Sequence, residues 1–188
     1  MYELFVLGEL MDKPLHGYVL HAVIGKAIGP IRQMSWGALY PLIRRLEQGG
    51  LIVREESGGG GGRERKMYRI TDAGRERFYL LMDAADAYDA DYPDLFTIKM
   101  SNFHHVDRDQ RLAILRHYRG YVRFVHDYMQ TSRRHVALEP GIPEAERPHI
   151  RRALEHRLHV AEADTRWIDA EIERLSGEDS ASLQHPGS

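Results

Sequence analysis

Trp36, Tyr40 and Arg44 fall four residues apart, with Arg45 beside the last and Ser35 just before the first. Spacing of four puts side chains on one side of an α-helix. A guanidinium pairs with phosphates or guanine edges, and aromatic rings pack on sugars and thymine methyls, so a face of this composition suits a DNA groove. Between these residues run Leu39, Leu42, Ile43 and Leu46, at i, i+3, i+4 and i+7. That is the apolar stripe a helix buries. Ser35 stands where an N-cap belongs and Gly49-Gly50 where a helix stops. Taken alone, the segment reads equally well as an ordinary surface helix.

Other residues invite a chemical reading and do not sustain it. His104 and His105 are adjacent, and His156 and His159 lie three apart with Glu155 and Glu162 close by. The helical pair offers two ligands rather than three on a charge-rich face, so the expectation is solvated histidines and no metal. The run Gly58 to Gly62 lacks the Lys and Ser/Thr of a phosphate loop, and there is no nucleophile elbow or HExxH. No cysteine is present, which removes disulfides, zinc-thiolate fingers and thiol catalysis. The expectation is binding rather than catalysis, without a cofactor.

Composition narrows the class. With 188 residues and 43% hydrophobic content the chain holds one ample domain or two small ones. Charged residues make up 29%, and no apolar run approaches the length of a bilayer span, so no membrane partner is expected. Met1 leads into Leu4-Phe5-Val6-Leu7 without a basic region or cleavage site, so a cytoplasmic protein is expected. The net charge of -2 is unevenly spread: residues 1–80 hold 12 basic and 9 acidic side chains, whereas the remainder holds 14 and 19. The basic excess clusters at Arg44-Arg45 and at Arg63, Arg65, Lys66 and Arg69.

The elements that must position these residues follow from periodicity. Leu4, Leu7, Leu10 and Met11 predict a helix over 2–12, broken by Pro14. Val19, Leu20, Val23, Ile24 and Ala27 predict a second over 16–28, ended by Gly29-Pro30. Pro41 within the third helix predicts a bent or tightened first turn. Leu51 to Glu56 and Arg65 to Thr71 read as strands about a glycine tip. Helix, strand, glycine tip and basic strand make the pattern of a winged helix-turn-helix. Arg63, Arg65 and Lys66 then suit phosphates or a minor groove. Thr71-Asp72 caps a linking helix expected to run to about residue 90 with Phe78, Leu81, Met82, Ala85 and Tyr88 inward, and Pro93 marks a boundary.

The second half reads as helical. A short amphipathic piece spans 95–105, and Asp107 with Gln110 forms a capping-box pattern. Leu115, Tyr118, Val122, Val125 and Met129 recur at intervals of 3 and 4, as do Leu154, Leu158, Ala161, Thr165, Ile168, Ile172 and Leu175. The latter is a heptad repeat, which needs another helix along its seam. Either the two helices pack on each other as a hairpin or they meet a second subunit; the narrow stripes favour a homodimer. Tyr118, Tyr121, Phe124, Tyr128 and Trp167 are aromatics that suit either a core or a pocket for a small aromatic effector.

The segments His16-Gly17-Tyr18, Gly37-Ala38-Leu39-Tyr40-Pro41-Leu42-Ile43-Arg44-Arg45-Leu46-Glu47 with Gly50-Leu51-Ile52, and Lys66-Met67-Tyr68-Arg69-Ile70-Thr71-Asp72-Ala73-Gly74 together resemble the PadR family of transcriptional regulators. The likeness covers roughly the first eighty residues, and the remainder looks like the helical C-terminal domain of that family's larger members. It implies a homodimeric repressor with its third helix in the major groove and its wing on the backbone, and, for some members, release by phenolic acids or hydrophobic drugs. The expected architecture is mainly α: a winged helix-turn-helix over 1–90, a helical dimerisation domain over 91–176 and a disordered tail over 177–188. The competing reading is a winged-helix protein-interaction module that does not bind DNA sequence-specifically.

Overall fold

A computed structural model describes residues 1–27, 29, 34–55 and 66–182. Its elements are α1 (Tyr2–Asp12), β1 (Leu15–His16), α2 (Gly17–Ala27), α3 (Trp36–Gln48), β2 (Ile52–Glu55), β3 (Met67–Ile70), α4 (Asp72–Asp83), α5 (Tyr92–Ser101), a 3-10 turn (Phe103–His105), α6 (Arg108–Leu138) and α7 (Arg147–Ser182). The fold is mainly α with a small antiparallel sheet, the winged-helix architecture expected. It divides into two units, Met1–Asp107 and Arg108–Ser188.

In the first unit the inward residues are those the periodicities select. Leu4, Leu7 and Leu10 of α1, Leu20 and Ile24 of α2, and Leu39 and Ile43 of α3 are fully buried. Each such side chain contributes about 1.5–3 kcal/mol over its exposed state. The sheet order is β1-β3-β2, with Ile52 opposite Ile70 and Glu55 opposite Met67. The two-residue strand β1 is not foreseen by the sequence reading: after Pro14 the chain pairs Leu15 with Tyr68 and His16 with Met67 before α2 begins. Pairing of so short a strand is decided by its partner β3 rather than by its own residues.

Two glycines fix the joint between helix and wing. Gly50, at φ +70°, lets α3 end in a Schellman turn: its N–H donates to the Glu47 carbonyl at 3.0 Å and that of Leu51 to the Leu46 carbonyl at 2.9 Å. The Gly50 carbonyl accepts from Thr71 Oγ1 at 2.6 Å, and Thr71 Oγ1 accepts from the Gly74 N–H at 3.1 Å as the N-cap of α4. A Cβ at Gly74 would stand 2.1 Å from the Leu51 carbonyl oxygen, so the start of β2 and the first turn of α4 meet only across a glycine.

Several boundaries differ from the sequence reading. The linking helix stops at Asp83 rather than near 90; Phe78 and Met82 are buried and Leu81 half-buried, whereas Ala85 and Tyr88 lie beyond the helix and are exposed. The chain turns there because Lys99 of α5, itself buried, draws the segment in: its ammonium donates to the Ala84 carbonyl at 2.8 Å and to Asp86 at 2.5 Å. Pro93 is no boundary; it sits in the first turn of α5, where its missing N–H costs nothing. The units meet at 107/108 instead of 90/91.

The second unit is an antiparallel hairpin of α6 and α7. Leu112, Leu115, Tyr118, Val122, Met129 and Val136 are buried along α6, and Leu158, Ala161, Ile168 and Leu175 along α7. Val125, Leu154, Thr165 and Ile172 are half-buried. Arg147 gathers the connection, donating to the carbonyls of Ala137, Glu139 and Ile142. At the other end Arg108 donates to the carbonyls of Leu175 and Ser176. α7 extends to Ser182, so residues 177–182 are helix rather than tail; 183–188 lie outside the described residues.

Gly74→Ala forces Leu51 or Ile70 to move and is expected to cost about 1–3 kcal/mol or more in urea unfolding. Gly25→Ala on α2, where a Cβ meets nothing within 4 Å, should be neutral or stabilise by up to about 1 kcal/mol. Asp86→Ala should cost roughly 3 kcal/mol, because the Lys99 ammonium stays buried with only a carbonyl to meet it.

Candidate nucleic-acid interface

The division of α3 into two sides is sharp. Leu39, Leu42, Ile43 and Leu46 are buried, from 0% to 6% exposed, while Trp36 is 41% and Tyr40 46% exposed. Ser35, Arg44, Arg45 and Glu47 are exposed as well. Ser35 holds the N-cap backbone position, but its side chain makes no capping bond. The first turn is tightened: both Ala38 and Leu39 donate to the Ser35 carbonyl, at 3.0 and 3.1 Å. Pro41 is accommodated one turn later, and α3 remains one continuous helix. A Cβ at Gly37 would meet only Ser35 Oγ at 3.7 Å, so the glycine is not demanded by crowding around the proline.

The aromatics form a stack rather than separate side chains. The Trp36 indole lies face-on to the His21 ring of α2, with centroids 3.9 Å apart and planes within 4°. Tyr40 stacks on Trp36 in turn, with centroids 5.5 Å apart. His16 and Tyr18 form a second pair at 5.5 Å, with Tyr18 half exposed. These contacts fix ring orientations that would otherwise be free, and they present edges and faces to solvent. His21 is a member that sequence reasoning missed. Nothing in its own position distinguished it; only the approach of α2 to α3 brings it under Trp36. Tyr18 lies in the His16-Gly17-Tyr18 segment, whose spacing alone gives it no contact.

Arg45 does not share the side of Tyr40 and Arg44. It lines a hollow of about 560 Å³ with Met1, Tyr2, Glu3 and Leu42. On the sheet, Tyr68 is buried beneath this surface. Burial first and Glu47 second hold its phenol above the usual pKa, against the opposing pull of Arg54 and Arg44. Arg69 is engaged with Glu55 across the strands at 2.6 Å. Lys66 is exposed at the start of β3. Arg63, Arg65 and the tip Gly58 to Gly62 lie outside the described residues.

In the second unit the five aromatics differ in burial. Tyr118 is buried, donates to Asp164 Oδ2 at 3.0 Å and stacks on Tyr121 at 5.7 Å. The Tyr121 phenol is held above its usual pKa by burial first and Asp164 second. Phe124, Tyr128 and Trp167 are 57%, 62% and 45% exposed. The hollow between α6 and α7, about 470 Å³, is lined instead by Arg119, Arg123, His126, Asp127, Glu162 and Arg166. Of the residues expected at a dimer contact, Leu115, Tyr118, Val122, Leu158, Ala161 and Ile168 are buried within the hairpin, and Val125, Leu154 and Ile172 are half-buried. His156 and His159 are exposed, and His159 faces Glu162 at 3.4 Å.

Residues 6–79, which contain the stacked face and both main wing strands, match the model of the PadR-like transcriptional regulator family. The chain carries a PadR-like domain. Among solved structures, Bacillus subtilis PadR in complex with operator DNA is similar over 92% of this chain and 98% of its own, at 18% identity and a TM-score of 0.44. A PadR-like regulator of Bacillus cereus is similar over 95% and 99%, at 24% identity and a TM-score of 0.39. A PadR family regulator of Eggerthella lenta shares 34% identity over 42% of this chain and 66% of its own, with a TM-score of 0.37. No curated protein matches the chain. Among the described residues no helix is long and apolar enough to cross a membrane. The PadR-like match covers the face built on α3 and stops short of α5, α6 and α7.

His21→Ala removes the partner on which the Trp36 ring lies. In a Trp167→Phe background the emission of Trp36 should then shift to longer wavelength as that ring becomes wetter, and unchanged emission would show that the stack does not persist in solution.

Proposed function

We propose that this protein is a homodimeric transcriptional repressor that binds a palindromic operator, with α3 in the major groove and the β2–β3 wing along the backbone. The observation that supports it best is the exposure of Trp36, Tyr40 and Arg44 on the side of α3 opposite its buried stripe, within the PadR-like domain. An inward row of leucines leaves these residues at the surface whatever the surroundings.

Each residue has a distinct part. Arg44, one turn beyond Tyr40, is assigned to base edges or phosphates. Tyr40 and Trp36 are assigned to apolar contact with sugars and thymine methyls, and Ser35 to a phosphate at the helix N-terminus. Lys66 is assigned to backbone charge, together with Arg63 and Arg65. Arg45, turned toward the N-terminus of α1, is the weakest of the expected contacts.

A palindromic operator places two recognition helices one DNA turn apart, about 34 Å, which would require two copies. Most of the heptad seam is buried within the hairpin. The second copy is therefore assigned to apolar residues left outside it: Phe124 and Tyr128, four apart on α6, and Val160 and Trp167, seven apart on α7. Release by a small aromatic effector rests on the family likeness alone. Titrating phenolic and hydrophobic compounds against Trp167 emission and against the DNA complex tests it; silence in both removes the effector from this reading.

The DNA beside the protein's own gene supplies a test duplex. Binding is expected to weaken steeply with salt. Arg44→Ala or Tyr40→Ala should weaken specific binding by roughly 1–3 kcal/mol, while Lys66→Ala should weaken all duplexes alike and lower the salt slope by about one. Wild-type affinity in both α3 variants overturns the assignment of α3, and negligible binding at low and high salt favours a protein-interaction module. Phe124→Asp with Tyr128→Asp should convert a sedimenting dimer to a folded monomer; an unchanged dimer places the interface elsewhere.

A further inference from the structure

One group of titratable side chains has no part in the interface described above. It lies where α1 ends against the 3-10 turn, both in the first unit. Asp12, the last residue of α1, directs its two carboxylate oxygens at two imidazoles: Oδ2 is 3.5 Å from His104 Nε2 and Oδ1 is 3.5 Å from His105 Nε2. The ligating atoms of the three residues all lie within 4.8 Å of one another. From this geometry we infer that Asp12, His104 and His105 form a site for a divalent transition-metal ion.

The spacing is the first reason. At 3.5 Å these contacts are longer than an N–H···O hydrogen bond. Metal–nitrogen and metal–oxygen bonds of about 2.0–2.2 Å at a tetrahedral angle put ligand atoms about 3.3–3.6 Å apart. The two imidazole–carboxylate distances, each to a different oxygen of Asp12, therefore match the edges of a coordination polyhedron. The second reason is His105 Nε2 itself, which is buried and has no hydrogen-bond partner. Its ring is held edge-on by Phe78 at 5.6 Å, and its side chain is only 13% exposed, so the nitrogen points toward Asp12 by packing rather than by a bond. A buried imidazole nitrogen left unpaired is destabilising, and a bound cation would satisfy it.

The surroundings set the charge. The C-terminal end of α1 supplies the negative pole of its dipole at Asp12. Glu9, one turn earlier, has its carboxyl pKa raised by burial first and by Asp12 second, which places a second acidic group beside the site. The opposing cations are Arg75, whose guanidinium donates to the Met11 carbonyl at 3.3 Å, and Lys13. Two imidazoles and a carboxylate without a thiolate select zinc, nickel or cobalt over copper(I), and over the hard magnesium and calcium ions. Three protein ligands leave a position open, as in an exchangeable site rather than a closed structural one. Neighbouring histidines in sequence supply two of the ligands, but the third comes from 92 residues away, so the set appears only after folding.

This inference is independent of the DNA-binding reading. Its test uses untagged full-length protein freed of metal by a chelator and titrated with cobalt(II), followed by the visible bands of a low-symmetry site and by calorimetry. One equivalent should bind in the wild type. Asp12→Asn and His104→Gln, both at exposed side chains, should retain the fold by circular dichroism and lose affinity at least about a hundredfold, since even outer-shell partners are worth 10–100-fold. His156→Gln with His159→Gln should bind as the wild type does. Absence of the bands in the wild type overturns the site, and so does equal affinity in the Asp12 and His104 variants.

Discussion

The burial of one side of α3 is the constraint on which the N-terminal unit depends. Leu39, Leu42, Ile43 and Leu46 anchor the helix in the core of this unit, and together contribute several kcal/mol. Once they are inward, helix geometry dictates that Trp36, Tyr40 and Arg44 face out. The Schellman turn at Gly50 and the Thr71 hydroxyl then fix where β2 and α4 leave the helix. Helix and wing are set by the same joint, so neither can be repositioned without disturbing Gly74 and the Leu51 carbonyl.

A different economy governs the second unit. Its helices are long, their apolar stripes are narrow, and each stripe covers the other. Ion pairs such as Arg119–Asp169 at 2.7 Å line the flanks, where solvent limits their worth to a fraction of a kcal/mol. What remains outside is a small set of large apolar residues on a charged surface. A stable association through them would have to bury further area, which is why the second copy is assigned there and not to the seam.

The parts of the fold legible in the sequence were those with strong periodicity or an unambiguous stop. Helix 2–12, the stripe of α3, its glycine end, the Thr71 cap and the long helices of the second half needed no tertiary information. The losses have separate physical causes. β1 is two residues long and exists because β3 offers a free edge. The linking helix ends at Asp83 because Lys99, far along the chain, draws Ala84 and Asp86 toward itself. The heptad repeat showed that a helix must lie along α7, and it could not say whose. At the interface, residue types revealed α3, but the ring of His21 beneath Trp36 depended on how α2 crosses it. Asp12 and His104-His105 were separately visible and carried no shared meaning until the chain brought them together.

The claim on which the functional reading turns is that the Trp36 side of α3 is the surface that closes on DNA. In a Trp167→Phe protein, Trp36 is the sole indole. Adding duplex from beside the gene should quench or shift its emission, saturating at the same concentration as an independent binding signal. Emission that stays constant while the duplex is fully bound would mean that another surface holds the DNA, and the assignment of α3 would be wrong.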